Sequence, residues 1–583
     1  MAFELTESIS QYVAASGKVF LNACPGSGKT TAIAYKLSKL VSKWNKEHNP
    51  FVGIACLSFT NTAKDEINLK YYDFCQTNLH YPHIVSTIDS FINHYITLPH
   101  YHLLDKKCKR PVILDDENYL DKWYGRWDKK FITKDNKPIC FSYFPGTIEI
   151  EIDGTYSSGG KKPSEDKVDE AIFKAYCKAL KKWQTDVGIL KTTDSAYIAL
   201  HLLRNYPNIG KNLVQRFPII MVDEAQDTSE IQLAILNKLI DAGLENIEFV
   251  GDPYQSLYQW RNARPDLLIK QTKDTSQKWV NLYFHHNRRS TQNIVNCFSI
   301  LRNKNEPKIV TSTSPNQEKP VLILRYSSGE EMEAVKKYIT HCQNFEHNHI
   351  VVRGTPLRDK LLGRDTSGLD FWKSSLAKEI IFAKLDFDKN RIKNAVSKIR
   401  ALLPELRKPD IDYFQLKEEI EKLKDNHEIS AWIVQTLRTL PDLGCSIPIW
   451  TTQVETLLSQ SVSHLFQTQV KLDLQIKRLK KTQSSLSISE VIGSELTNGL
   501  EISTIHQVKG MTFDSLLLIL SETSTGQNIS IKDVFRPDKF PTEKQRMIYV
   551  AMSRPRYLLG IALPNTITLE TIQEKFGNNI SIE

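Results

Sequence analysis

The chain has 583 residues, too many for one hydrophobic core, and its length predicts roughly three or four domains. Hydrophobic residues make up 41% and charged residues 25%, the balance of a globular chain, and no apolar run approaches the ~18 residues needed to cross a bilayer. The net charge of +9, from 76 basic against 67 acidic side chains, suits contact with phosphate backbones without demanding it.

The N-terminus, Met1-Ala2-Phe3-Glu4, has neither a basic start nor an apolar stretch, so no secretion signal is expected. The nine cysteines are scattered, odd in number and form no CxxC pair, which argues against a disulfide framework or zinc module and for a reducing, cytoplasmic setting. His80, His83, His94, His100 and His102 lack cysteine or carboxylate partners at metal-ligand spacing and read as surface or core histidines.

In chain order, short apolar runs alternate with helical patterns in the first quarter and again after residue 210, as parallel βαβ units require. Val19-Phe20-Leu21 is a strand, and Ala23-Cys24-Pro25-Gly26-Ser27-Gly28-Lys29-Thr30 follows it as a Gly-rich loop opening a helix through Ile33 and Tyr35. In such a loop backbone N–H groups cradle phosphates at the positive end of the helix, Lys29 neutralises phosphate charge, and the Thr30 hydroxyl ligates Mg²⁺. Residues 23–30 and the adjoining Thr31 are the expected nucleotide-binding segment, with Ala23 where the general pattern has glycine. Phe51 to Leu57 is a second buried strand.

From about 100 to 205 the rhythm breaks. A hairpin is expected over Thr147 to Ile152, followed by Gly154 and a lysine-bearing loop, Ser157 to Lys162, and the whole reads as an inserted subdomain. Pro218 to Val222 is a third strand, ending in Asp223-Glu224-Ala225-Gln226-Asp227. Carboxylates just beyond a buried strand are costly unless they hold a cation or a partner. Asp223 is placed to hold Mg²⁺ and Glu224 to orient and deprotonate an attacking water. An acid-rich helix N-terminus would also give such a cluster, but leaves unexplained its place after a strand downstream of a phosphate loop.

Ile247 to Val250 is a fourth strand, and the four form one sheet whose ligands bind at the strands' carboxyl ends. A second sheet is expected to start at Trp279 to Leu282, to include Val321 to Leu324 and Ile350 to Val352, and to resume at Leu516 to Leu520 and Leu558 to Leu563. Between these pieces, 365–495 reads as helical, with Ile392, Val396, Ile399 and Leu403 on one apolar stripe. The Gln/Ser/Lys-rich segment Ser459 to Ser487 carries a weaker helical pattern, part of it linker-like.

The acidic string at 223–227, with further islands in order, resembles the UvrD/Rep-type superfamily 1A DNA helicases from residue 19 to about 563. Residues 23–30 resemble motif I, Ser58 to Glu66 motif Ia, Thr87 to Phe91 motif Ib, and 223–227 motif II. Val250 to Arg261 resembles motif III, Asn287 to Ser290 motif IV, Thr504 to Phe513 motif V, and Tyr549 to Arg556 motif VI. The resemblance implies an α/β fold of two RecA-like parallel-sheet lobes, each carrying a mainly helical inserted subdomain. The first lobe would be 1–100 and 206–278 with insert 101–205, and the second 279–364 and 496–583 with insert 365–495.

The same resemblance implies ATP and Mg²⁺ between the lobes, Gln255 at the γ-phosphate, and Arg288 and Gly510 also at the nucleotide. Arg289 and Arg554 would be arginine fingers from the second lobe, an effect worth about 10³–10⁵ in rate in other NTPases. It implies 3′–5′ movement on single-stranded and partial-duplex DNA. Phe59, Tyr258 and Trp260 would stack on bases, and Thr60, Asn61, Thr87 and His506 would contact phosphate or sugar. Stacking tolerates any sequence because every base has a π-face.

Three positions depart from the family pattern. Arg288 stands where an aromatic residue stacks on adenine; a guanidinium can stack too, which leaves base selectivity open. Thr512 replaces a glutamate at the ribose, and Gln11, the nearest match to an adenine-reading glutamine, has a different spacing. The departures in motifs IV and V, with the string Ala551 to Arg556, are also similar to compact helicase partners of nucleases in anti-phage defence, such as the Gabija system, which implies a separate nuclease subunit. No carboxylate–lysine cluster after Arg554 would build a nuclease within this chain. A different class, an ATP-dependent DNA sensor that regulates a partner without processive unwinding, is the alternative.

Overall fold

The structure is a computed structural model. It describes all residues except 1–4, 45–48, 105–109, 115–130, 259–261, 313–318, 362–370, 374–375, 389–391, 408–422, 424–425, 478, 480–483, 490–499, 527 and 578.

Two six-stranded parallel sheets form its frame. The first contains β1 (Lys18–Ala23), β2 (Ile54–Ser58), β3 (Ile84–Thr87), β4 (Ile219–Val222), β5 (Asn246–Gly251) and β6 (Val280–Phe284), in the order β6-β1-β5-β4-β2-β3. The second contains β7 (Val321–Tyr326), β8 (Asn348–Val352), β9 (Glu501–Thr504), β10 (Phe513–Ile519), β11 (Pro555–Pro564) and β12 (Ile580–Ile582), in the order β9-β8-β10-β11-β7-β12. Both sheets are α/β layers, as the sequence implied.

Strands such as β2, buried at every position, are covered on both faces, which is why they read as unbroken apolar runs rather than alternating ones. In the first lobe, helices α2 (Lys29–Trp44) and α3 (Asn61–Cys75) cover one face through Ile33, Leu37, Ile67 and Tyr71. Leu200, Leu203, Leu236 and Leu239 cover the other, against Phe20, Leu57, Ile220 and Phe249.

One strand belongs to the other sheet from the one expected. Residues 280–284 do not open the second sheet; β6 pairs in parallel with β1, Val19 opposite Val280 and Ala23 opposite Phe284. Trp279, just before it, stacks on Phe249 of β5 with ring centroids 5.1 Å apart. The first sheet therefore extends past residue 278. This carries the chain directly from the edge of β1 into the Asn287 to Ser290 segment.

The first insert contains the expected hairpin, Ile148–Ile150 antiparallel to Tyr156–Ser158, together with helix Glu170–Val187. The second insert is helical where described: Leu376–Asp388, Ile392–Arg407, His427–Thr439 and Ile447–Phe466 share a core around Trp372 and Trp450. Of the anticipated stripe, Ile399 and Leu403 are fully buried and Val396 partly, whereas Ile392, at the helix start, is exposed. Of the weaker helical pattern from Ser459, the first part continues helix Ile447–Phe466, and residues 478 and 480–483 lie outside the described residues. Gln467 then turns left-handed at φ +49° and ends the helix. No described helix is long and apolar enough to cross a membrane.

Candidate functional site

β1 delivers the chain into the Gly-rich loop, whose first residue after the strand, Cys24, donates its N–H to Phe284 O of β6 at 2.9 Å. Gly26 and Gly28 adopt φ of +68° and +83°, the left-handed region that side-chain-bearing residues avoid. They let the loop fold back so that Lys29 and Thr30 open α2. β4 lies next to β2, and Asp223 continues it by donating its N–H to Leu57 O at 2.8 Å. Glu224 then turns left-handed at φ +51°. The turn brings Glu224 Oε1 to 2.8 Å from Lys29 Nζ.

From Glu224 a relay of side-chain bonds crosses to the second sheet. The Gln226 amide donates to Glu224 Oε2, and its carbonyl accepts the Asp252 N–H at 3.1 Å. Asp252 Oδ2 accepts from Gln255 at 2.9 Å and from the Tyr549 hydroxyl at 3.1 Å. The Gln255 carbonyl accepts from Arg554 at 2.7 Å. The approach is close at Gly251, where an added Cβ would lie 2.1 Å from Gln226 Oε1.

Arg289 reaches the same place by another route. Asn287 is fully buried, donates to Pro25 O at 2.8 Å, and accepts the N–H groups of Arg289 and Ser290 at 2.8 and 2.7 Å. Arg288 N–H donates to Gly26 O at 2.9 Å, and a Cβ added to Gly26 would stand 2.7 Å from Arg289 Cβ. The Arg289 guanidinium donates to Ser553 O at 3.0 Å, next to Arg554. Arg289 thus meets the loop that carries Lys29, while Arg554 meets Gln255 of the first lobe. Gly510 sits at φ +83° in the turn between His506 and β10. Gln11, on helix Glu7–Ala14, donates to Glu7 in an exposed contact.

The electrostatics of this cleft are those of a receptor for an anion and a hard cation. Burial drives Arg289 down to about 9, with repulsion from Arg554 and Arg556 adding to it, and drives Arg554 down to about 10. Neither guanidinium has a carboxylate salt-bridge partner among the described residues. Burial first, then the Glu224 charge, raises the Asp223 pKa, and its Oδ2 has no hydrogen-bond partner among the described residues. Burial works against Lys29, yet Glu224, Asp223 and Asp252 outweigh it and the net shift is upward. Burial opposes ionisation of Glu224 too, but Lys29 and Lys509 hold it well below the usual carboxylate range. A carboxylate with a bare buried oxygen and the Thr30 hydroxyl are hard oxygen donors that fit Mg²⁺. No group of three or more His, Cys, Asp or Glu side chains converges among the described residues, so a cation here would complete its coordination with phosphate oxygens and water.

The residues expected to meet DNA lie along the carboxyl ends of β2 and β3 and across to the second lobe. The Phe59 and Tyr258 rings lie 4.9 Å apart, and Tyr258 lies 6.5 Å from the His506 ring. The Thr60 hydroxyl caps α3 by accepting the Ala63 N–H at 3.1 Å. Thr87 accepts the Ser90 N–H at 3.2 Å and donates to Ser90 Oγ at 2.8 Å. These hydroxyls therefore already hold helix starts. Asn61 is exposed beside them, and Trp260 lies outside the described residues. The His506 pKa is lowered by burial, Arg353 and Lys509, and its Nε2 is buried without a partner among the described residues.

Residues 5–276 match the model described as the UvrD/REP helicase N-terminal domain, and residues 381–566 the model described as the UvrD-like helicase C-terminal domain. The chain belongs to the UvrD/Rep helicase family. It is 22% identical over 373 residues to a protein named probable DNA helicase II homolog from Mycoplasma capricolum, covering 62% of this chain and 48% of that protein. It is 22% identical over 626 residues to ATP-dependent DNA helicase Rep of Buchnera aphidicola subsp. Schizaphis graminum, covering 93% and 90% respectively. With ATP-dependent DNA helicase PcrA of Staphylococcus aureus it shares 22% identity over 522 residues, 86% of this chain and 64% of that protein. The chain thus spans about half the length of the first curated relatives it matches.

Within this UvrD/Rep frame, Asp252 of motif III and Tyr549 of motif VI are buried junctions of the relay, and Asn287 of motif IV is the buried junction beside Arg289. Arg546, outside the motif strings, donates to Ser256 O at 2.8 Å across the lobes. Arg353, at the end of β8, was not singled out at all. Its buried Nε lacks a partner among the described residues and burial lowers its pKa. An arginine directly after a buried parallel strand is the signal that could have found it.

Proposed function

We propose that the protein is an ATP-dependent 3′–5′ DNA translocase and helicase that turns ATP hydrolysis into movement along single-stranded DNA. The observation that carries this reading is the approach of Arg289 to the Gly-rich loop and of Arg554 to Gln255, both from the far side of the cleft.

In this reading the loop N–H groups of residues 26–30 and Lys29 hold the triphosphate at the start of α2. Asp223 and Thr30 would hold a magnesium ion, which would supply neutralisation of phosphate charge. Glu224 leaves its ion pair with Lys29 when phosphate takes the ammonium, and its carboxylate is then free to orient the attacking water and accept its proton. Gln255 senses the γ-phosphate and is bonded to Arg554, so loss of that phosphate is felt at once in both lobes. The arginines stabilise the transferring phosphoryl group, and their separation from Lys29 on opening makes hydrolysis a mechanical stroke. Bases stacked on Phe59 and Tyr258 are moved by that stroke. The names of the Rep and PcrA relatives, ATP-dependent DNA helicases, support the same activity.

The test is ATP turnover with and without single-stranded DNA, in wild type and Lys29→Ala. Strong stimulation, abolished by the substitution, is expected; turnover that is absent or indifferent to DNA overturns the proposal. Partial duplexes tailed at 3′ or 5′ test direction, and preference for the 5′ tail overturns the polarity. DNA-stimulated turnover without strand separation on either substrate would favour a DNA sensor that regulates a partner.

A further inference from the structure

Between the aromatic platform and the hydrolysis carboxylates stands one cation that neither reading above uses. Lys509 arrives on the turn after His506, its ammonium lies 4.7 Å from the centroid of the Tyr258 ring, and it forms an ion pair with Asp227 Oδ2. The lysine side chain is 11% exposed and the aspartate 1%, so the pair is shielded from water and from salt. It also joins the two lobes, since Asp227 follows β4 of the first sheet and Lys509 precedes β10 of the second.

Asp227 in turn shares a donor with the hydrolysis carboxylate. The Gln226 amide nitrogen donates to Glu224 Oε2 and lies 3.4 Å from Asp227 Oδ2. The same glutamine is fixed by its carbonyl to the Asp252 N–H, so its side chain cannot swing away from both carboxylates. A continuous path therefore runs from the Tyr258 ring through Lys509, Asp227 and Gln226 to Glu224.

We propose that Lys509 is a positioning residue that couples occupancy of the Phe59–Tyr258 platform to the placement of Glu224, through its ion pair with Asp227. This rests on the DNA-motor reading above. With the platform empty, the ammonium satisfies Asp227 and the Gln226 amide stays on Glu224. A base stacked on Tyr258, with its phosphate alongside, competes for the ammonium. Asp227, still buried, then draws on the Gln226 amide, because a buried carboxylate left without a partner is costly. Glu224 is released to meet water. DNA binding is thereby reported to the hydrolysis site by exchange of partners, with no proton transferred and no covalent step.

The experiment compares kcat for ATP at saturating single-stranded DNA with kcat without DNA, in wild type, Lys509→Met, Lys509→Arg and Asp227→Asn. DNA half-saturation is measured separately for each by fluorescence anisotropy. Lys509→Met and Asp227→Asn are expected to lower the stimulation ratio more than about fivefold. Lys509→Arg keeps the ion pair and is expected to restore most of the ratio. Asp227 is buried away from the platform, so its variant is expected to change the ratio while DNA half-saturation holds. A purely structural bridge would instead lower both rates together, and ratios within about twofold of wild type in Lys509→Met and Asp227→Asn overturn the proposal. If either of these misfolds, the double variant Lys509→Met with Asp227→Leu, which removes both charges at once, is read against the same twofold limit. Wild type without DNA stimulation would instead overturn the motor reading itself, a separate outcome.

Discussion

Arg554 offers a perturbation whose effects on stability and on catalysis should diverge. The residue is 2% exposed and its pKa is lowered to about 10, chiefly through burial. At about 1.4 kcal/mol per tenfold, holding the charge there costs the ligand-free protein about 3 kcal/mol, present in full at neutral pH because the folded pKa is still well above it. Against this stand hydrogen bonds to Val550 O at 3.0 Å, Gln255 Oε1 at 2.7 Å and Ser553 Oγ at 3.0 Å. At about 1 kcal/mol net each they return a similar amount. Arg554→Met keeps most of the volume, so the ligand-free variant should stay within about 1 kcal/mol of wild type in urea unfolding. ATP turnover, which would use the charge, should fall by about 10³ or more. The stabilisation that a non-hydrolysable ATP analogue gives wild type with Mg²⁺ should shrink in the variant. A ligand-free loss above about 2 kcal/mol, or turnover within about tenfold of wild type, would refute this account and make Arg554 a structural residue.

Other expectations follow from the same geometry. Asn287→Ala removes three bonds that tie the Gly-rich loop to Arg289, and should cost about 2–4 kcal/mol and weaken nucleotide binding in calorimetry. Phe59→Ala should weaken single-strand binding by about 1–3 kcal/mol, equally for oligo-dT and oligo-dA; equal affinity in wild type and variant would remove Phe59 from the track. His349, stacked on Phe513 at 4.4 Å, has its pKa lowered to about 4 by burial. The unfolded chain takes up a proton first as pH falls from about 6.5, so about 3 kcal/mol should be lost by pH 4. His349→Phe should flatten that slope in urea titrations between pH 7 and 4.

The parts legible in the sequence are those whose chemistry is local. A phosphate loop needs Gly26 and Gly28 at positive φ beside Lys29, and a fully buried parallel strand such as β2 needs nothing but apolar residues, so both declare themselves within ten residues. The identity of the sheet that β6 joins is different in kind. Val280 to Phe284 is a plausible strand in either lobe, and only its pairing with β1, with Trp279 on Phe249, decides the matter. The motif strings named Gln255 and Arg554 but could not say that one bonds the other across 299 residues of chain. Thr60 and Thr87 mark the opposite limit. Their place in the motifs suggests phosphate contacts, and the same residues are good helix N-caps whose oxygens accept the N–H groups of Ala63 and Ser90. One residue type at a strand end serves both purposes, and the sequence alone does not separate them.

The bonds across the cleft, the Lys509–Asp227 ion pair among them, leave the charges of Arg289 and Arg554 unanswered. Asn287 to Pro25, Arg546 to Ser256 O and Tyr549 to Asp252 join the lobes without bringing an anion to Arg289 or Arg554. Lys29 meanwhile leans on Glu224, the carboxylate that hydrolysis would require. A triphosphate would supply the missing counter-charge to both arginines and take Lys29 from Glu224 in one event, so its binding energy falls where the ligand-free protein is most strained electrostatically. In the motor proposed here, loss of the γ-phosphate would again leave Arg289 and Arg554 without that counter-charge, and high salt should change this little because both groups are buried.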